Sequence, residues 1–390
     1  MKKIFLSTFL IVATLVIAAV CNGAKARNAK TDTTEVKVTS NTVDKGTKIQ
    51  VAILLDTSSS MDGLINQAKS RLWNIVNTLT TLKFKGKSPY IEIALYEYGN
   101  NGIRTDDYIR RVTPLTNDLD LISDKLFGLT TNGGYEYCGA VIKKAVDNLE
   151  WGKGDADMKL VYIAGNEPFT QGNVSYKTAI ENALSKNIYV NTIHCGNSHE
   201  GIEGMWRDGA TRGKGKFFNI DHNALVRFIS TPYDDRISMC NVKLNDTYIG
   251  YGQAGDVRKE SQIRQDKNAE SVSSSNYAER VVSKTKKVYN NSSWDLVDKV
   301  KEDATVLEKM EETQLPKELQ NKSQTEIKKY VAQKDAERTA LQKEIDELAK
   351  KRQAYIDEEM KKEGDGGDDL GKAINQSVID LALAMGYVVE

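Results

Sequence analysis

The chain has 390 residues, with 54 basic and 54 acidic side chains and a formal net charge of zero. That balance argues against a nucleic-acid partner, which demands a basic face, and removes attraction to anionic lipid as the main driver of location. The length suits two or three domains of about 100–200 residues each.

Residues 1–26 read as a signal peptide. Lys2 and Lys3 precede an apolar run from Ile4 to Val20, and Ala24-Lys25-Ala26 fits the small-x-small rule for cleavage. Two other readings stay open: an uncleaved anchor, because the run is marginally long enough to span a bilayer, and a lipid-modified N-terminus at Cys21. No other segment is long and apolar enough to cross a membrane. The expectation is an exported, bacterial protein in the periplasm or at the cell surface, meeting the membrane only through such an N-terminal anchor. Residues 27–46 form a polar tether.

Strand and helix patterns then alternate. "IQVAILL" (49–55) is a continuous apolar run, as in a strand buried on both faces. "LINQAKSRLWNIVNTLTTL" places Leu64, Ala68, Leu72, Ile75, Val76 and Leu79 on one helical face. "YIEIALYEYG" and "DYIRRVTPL" alternate like strands, and "DLDLISDKLFGL" is a short helix with Asp118 or Asp120 near its start. "GAVIKKAVDNLEW" reads as helix, "MKLVYIAG" as strand, "YKTAIENALSKN" as helix and "IYVNTIHCG" as strand. "GKFFNID" is a last strand, with "HNALVRFIS" as its covering helix. Such alternation predicts an α/β fold, a doubly wound, mostly parallel sheet, within residues 47–240.

The character changes after that. Residues 241–275 read as a glycine-containing connector, and 276–362 as a charged helical region folded as a hairpin on itself or on the α/β domain. "SQTE" (323–326) is a capping box ahead of a helix of some forty residues. Lys334, Arg338 and Arg352 interrupt its apolar seam, which argues against a long self-sufficient coiled coil. Residues 363–390 are an acidic linker and one more amphipathic helix.

In an open parallel sheet, ligands sit outside the carboxyl ends of the strands. "DTSSS" follows the first strand, so Asp56, Ser58 and Ser60 belong to that rim. They form an Asp-x-Ser-x-Ser set of hard oxygen ligands of the kind Mg²⁺ prefers. No phosphate-binding glycine loop is present. The competing reading is local, with Ser60 and Asp62 capping the following helix.

Around "LLDTSSSM" the sequence resembles the von Willebrand factor A domain family, whose members usually bind macromolecules through a metal-ion-dependent adhesion site. It is similar to exported bacterial members with an "AGNEPFTQG" loop and a charged helical tail. The resemblance implies Asp56, Ser58 and Ser60 as first-loop metal ligands and one coordination position open to an acidic group of the partner. The second loop, "NGGYEYCGAVI", has Tyr135 where the family has threonine, with Glu136 beside it. The third, "YIAGNEPFTQG", has Gly165 where the family has aspartate, with Asn166 and Glu167 after it. Glu136 and Glu167 can supply the missing oxygens. Their charge favours Ca²⁺ or Mn²⁺ over the otherwise expected Mg²⁺ and weakens the pull on an acidic partner.

Cys138 and Cys195 both fall near this rim and are candidates for a disulfide in an oxidising compartment. The cluster His194, Cys195, His199 and Glu200 lacks the second ligand pair of a zinc site. Neither the three histidines nor a nucleophile motif suggests an enzyme. The expected function is non-enzymatic binding of a macromolecular partner. The alternative is an assembly role carried by the helical tail, with a vestigial metal site.

Overall fold

The computed structural model describes residues 46–363 and 370–390. The signal peptide, Cys21 and almost all of the tether lie outside the described residues, as does the acidic stretch 364–369. No helix among the described residues is long and apolar enough to cross a membrane.

Strand β1 (Lys48–Asp56) leads into α1 (Asp62–Thr80), a short β2 (Leu82–Phe84), β3 (Tyr90–Tyr98) and β4 (Ile109–Thr116). Then come α2 (Leu119–Phe127), α3 (Cys138–Asn148), β5 (Met158–Gly165), α4 (Tyr176–Ser185) and β6 (Ile188–Cys195). Helices α5 (Ser198–Glu203) and α6 (Trp206–Arg212) precede β7 (Lys214–Ile220). Six of these strands form one sheet in the order β4-β3-β1-β5-β6-β7, all neighbours parallel except β3 and β4. The predicted doubly wound α/β architecture is therefore the observed one.

Period-two alternation divides the sheet between two cores. On β1, Ile49, Val51, Ile53 and Leu55 face a core shared with α1 and α2, while Ala52 and Leu54 face one shared with α3 and α4. Both faces are covered, so the strand reads as an unbroken apolar run.

The remaining helices are α7 (Asp234–Asn245), α8 (Gly255–Val272), α9 (Ser274–Ser283), α10 (Leu296–Glu302), α11 (Val306–Lys309), α12 (Gln324–Glu363) and α13 (Leu370–Ala384), and the last strand is β8 (Tyr387–Val389). Two sequence expectations need correction here. The segment "HNALVRFIS" is not helical. It crosses the start of α1, where Gln67 Nε2 donates to the carbonyls of Asp221 (2.8 Å) and Ala224 (3.2 Å).

The covering position over β6 and β7 belongs instead to α13. Leu370, Ile374 and Val378 enter the same core as α1, and the Tyr162 hydroxyl of β5 lies 2.7 Å from Ser377 Oγ. β8 then pairs antiparallel with β2.

The connector 241–275 contains an 18-residue helix, α8. It shows no apolar stripe because the face it buries carries Gln262, Gln265 and Asp266. Polar partners satisfy that face, so hydrophobic periodicity is silent. Finally, α12 is one unbroken 40-residue helix, as the capping box at 323–326 leads one to expect, and it packs on α7, α9, α10 and α11. Arg338 and Arg352, which break its seam, are buried anchors. Arg338 donates to Asp295 (2.7 Å) and Asp298 (2.8 Å), and Arg352 to Asp234 (2.8 Å).

Candidate functional site

At its carboxyl end, β1 delivers Asp56 to the rim beside Tyr98 of β3. The carboxylate is fully buried; Oδ1 accepts from the Ser58 backbone N–H at 2.7 Å, and Oδ2 has no hydrogen-bond partner. Ser58 Oγ and Ser60 Oγ lie 3.3 Å apart. The chain makes a tight turn over Ser59–Met61 before α1 begins. Neither the turn nor α1 has a side-chain cap at its start. The hydroxyls are therefore not spent on capping, and Asp62 accepts from the Thr131 hydroxyl instead.

The second loop brings Glu136 against this group. Gly99, after β3, holds the two together: a Cβ there would meet Asp56 Oδ1 at 2.7 Å and Glu136 Cγ at 2.8 Å, and its φ of +77° suits glycine. Gly134 packs equally tightly on the Gly99 carbonyl. Glu136 is buried, and its N–H donates to Gln171 Oε1 at 2.5 Å.

In the third loop, Gly165 makes room for the Tyr98 ring, whose hydroxyl donates to the Ala164 carbonyl at 3.0 Å. Asn166 Nδ2 reaches Ser60 Oγ at 3.4 Å, and Asn166 Oδ1 is buried without a partner. Glu167 contributes its backbone N–H to Glu136 Oε2 at 3.4 Å, while the residue itself is exposed.

Asp56, Ser58, Ser60 and Glu136 are thus brought together, and Glu167 joins through its main chain. Sequence reasoning missed Gly99 and Gln171 and left Asn166 outside the ligand set. The glycine ending "YEYG" was the available signal. Burial first, and then the neighbouring Glu136 carboxyl, push Asp56 well above the usual carboxylate range; burial also raises Glu136. Two carboxyls in one dry pocket call for a proton or a cation. The donors are all oxygen, as a hard divalent ion requires. They include only two close carboxylates, and among the described residues no group of three or more His, Cys, Asp or Glu is placed to hold a metal.

The expected disulfide is absent: Cys138 and Cys195 are both free. They lie in the cores on opposite faces of the sheet, because strand alternation turns Cys195 toward α1 while α3 covers the other side. Burial raises both thiols well above their ordinary range, which keeps them protonated and unreactive. His194 is structural, with Nδ1 2.9 Å from Asn219 Oδ1 and Nε2 3.3 Å from the Asn166 carbonyl. Tyr135, in the threonine's place, is exposed and stacks on Tyr137 with ring centroids 6.0 Å apart.

These features define a doubly wound α/β domain with three loops converging on an oxygen-rich rim. Residues 50–224 match the sequence profile of the von Willebrand factor type A domain, which places that domain in somewhat under half of the chain. No curated protein matches the chain. Among solved structures, the BatB protein of Bacteroides thetaiotaomicron is 17% identical, with 44% of this chain and 90% of that one covered and a TM-score of 0.34. An aerotolerance-related membrane protein of Bacteroides fragilis is 15% identical, covering 45% and 93%, at a TM-score of 0.32. Proximal thread matrix protein 1 of the mussel byssus, with a zinc-occupied adhesion-site motif, is 15% identical, covering 47% and 44%, at 0.35.

Proposed function

We propose that this is an exported, cell-envelope binding protein without catalytic activity, whose rim holds a divalent cation and engages a macromolecular partner. The observation that carries this reading is the buried Asp56 carboxylate with Oδ2 unpartnered, beside Glu136 and two hydroxyls that cap nothing. Asp56, Ser58, Ser60 and Glu136 would hold the ion, with Mg²⁺ the first choice and Ca²⁺ or Mn²⁺ favoured by the second carboxylate. The bound ion would supply a Lewis-acidic position for an oxygen of the partner. Glu136, drawn into that site, offsets part of the ion's charge, so the partner's contact would rest more on shape and aromatic area. Tyr135 and Tyr137 supply such area at the rim, as aromatic residues commonly do at interfaces. Export is inferred from Lys2, Lys3 and the apolar run behind them.

The assembly reading through the tail has less support, because α12 spends Arg338 and Arg352 on docking to its own chain. The deciding experiment is a thermal melt of the full chain in chelator and with Mg²⁺, Ca²⁺ or Mn²⁺, alongside Asp56→Ala. A ligand at a hundred times its dissociation constant stabilises the folded state by about 2.7 kcal/mol. The wild type should melt several degrees higher with the preferred metal, and Asp56→Ala should not respond. A wild type unmoved by all three ions would sink the metal reading.

A further inference from the structure

At the amino end of β3, opposite the rim, lies a cavity of about 260 Å³. Its walls come from two parts of the molecule. Lys83, Tyr90, Ile91 and Asn117 belong to the α/β domain, and residues 285–290 to the segment after α9. Three lysines, Lys83, Lys286 and Lys287, are among its lining residues, and no acidic residue is. Lys286 is neutralised by Asp346 at 2.8 Å. Lys83 donates to Ser88 Oγ at 2.8 Å, and among the described residues no carboxylate forms an ion pair with Lys83 or Lys287. Lys83 is half-buried along its stem, and its ammonium is hydrogen-bonded to Ser88 at an exposed position without a counter-ion among the described residues.

Neutral donors accompany these cations. Ser88 accepts from Lys83 and keeps its own proton to donate, and the side-chain amide nitrogens of Asn117 and Asn290 have no acceptor among the described residues. Thr80 and Thr285 also line it, their hydroxyls donating to the carbonyls of Asn77 and Val282, and apolar surface comes from Ile91, Val288 and the ring of Tyr90, which is 58% exposed. No arginine is present, so the planar fork that matches a carboxylate is missing. Lysines act as point charges that can converge on a tetrahedral oxyanion.

We propose that this cavity is a second binding site, for a phosphate monoester with a compact apolar body. The phosphoryl group sits between Lys83 and Lys287 and receives the Ser88 and asparagine donors, and the apolar part lies against Ile91, Val288 and Tyr90. Because the two lysines come from different parts of the chain, the ligand ties the helical tail to the sheet.

The test is calorimetric titration of the full chain with phenyl phosphate, with benzoate as the carboxylate comparator. The variants are Lys83→Ala/Lys287→Ala, whose side chains make no ion pair to lose, and Asp56→Ala, at the far end of the sheet. The expected result is saturable binding of phenyl phosphate, weaker by at least tenfold in the double variant and unchanged in Asp56→Ala. Benzoate should bind at least tenfold more weakly. Unchanged thermal melting of the unliganded double variant confirms that its fold is kept; if it melts lower, Lys83→Gln/Lys287→Gln replaces it.

Co-sedimentation with phosphatidic acid vesicles separates the sources. Sedimentation lost in the double variant identifies a lipid headgroup, and none, with phenyl phosphate still bound, identifies a soluble ester; both support the site. No saturable binding at millimolar phenyl phosphate, equal binding of benzoate, or binding indifferent to the two lysines overturns the proposal.

Discussion

Asp56 and Glu136 share a buried pocket; burial raises both carboxyls, and the Glu136 carboxyl raises Asp56 further. The ordinary pKa of an aspartate is near 3.8, and the folded value of Asp56 lies well above it. Between those values the folded chain binds more protons than the unfolded one, so this group's contribution to stability falls as pH rises through the window. Glu136→Gln removes one charge and nearly preserves shape. The metal-free variant should therefore be more stable than wild type at pH 7, with a smaller gain at pH 4. The same substitution should shrink the metal-induced rise in melting temperature. Urea denaturation at the two pH values, with and without chelator, checks both. A variant less stable than wild type at pH 7 without metal would contradict the account.

At the level of elements, the tail is held by buried charge as well as by apolar packing. Arg280 of α9 and Lys284, which caps the end of α9, both reach Asp266 of α8, at 3.0 Å each, and Arg280 also pairs with Asp120 of α2 at 2.6 Å. Arg280 stacks over Trp73 of α1, 4.5 Å from the ring centroid. Burial pushes Asp266 up, but Lys284 and Arg280 outweigh it and hold the carboxyl at about 2.

The stability Asp266 contributes, about 2 kcal/mol, is fully present above pH 3.8 and lost as pH falls toward 2. Lys284 has the same sense in a higher window. Burial lowers it from 10.5 to about 8, so stability gains as pH rises between those values. Asp266→Asn should cost about 3–5 kcal/mol at pH 7 by leaving buried cations undercompensated. It should also flatten the fall in stability between pH 4 and 2. Melting temperatures across that range measure it; an unchanged slope would show that Asp266 does not carry the acid transition.

On the scale of the whole molecule, the α/β domain is closed by the far end of the chain. Leu370, Ile374, Val378 and Tyr387 are all at most 2% exposed and fill the core over β5, β6 and β7. Burying four such side chains is worth on the order of 5–10 kcal/mol, as much as a typical domain's net stability. A chain ending at Glu363 should lose cooperative unfolding and bind a hydrophobic dye. A truncated chain that melts cooperatively within a few degrees of the full one would refute this. The expectation has a practical consequence: residues 47–240 alone are not a fair sample of the domain, because they lack the helix that covers half of one face.

Local regularities account for what the sequence made legible. The alternation of apolar runs and 3.6-period faces announced the doubly wound sheet. Asp-x-Ser-x-Ser after a buried strand marked the rim, and Ser323 with Glu326 marked the start of α12, where the Ser323 N–H donates to Glu326 at 2.8 Å. These signals survive in one dimension because each depends on neighbours within a few positions.

The remainder depended on partners far apart in the chain. Whether Cys138 and Cys195 meet depends on which face each enters. Whether Arg338 and Arg352 disrupt a helix seam or anchor it depends on Asp295, Asp298 and Asp234. A doubly wound pattern expects the helix over β6 and β7 just after β7. An apolar groove selects its occupant by fit rather than by order in the chain, and α13, some 150 residues further on, is what fills it.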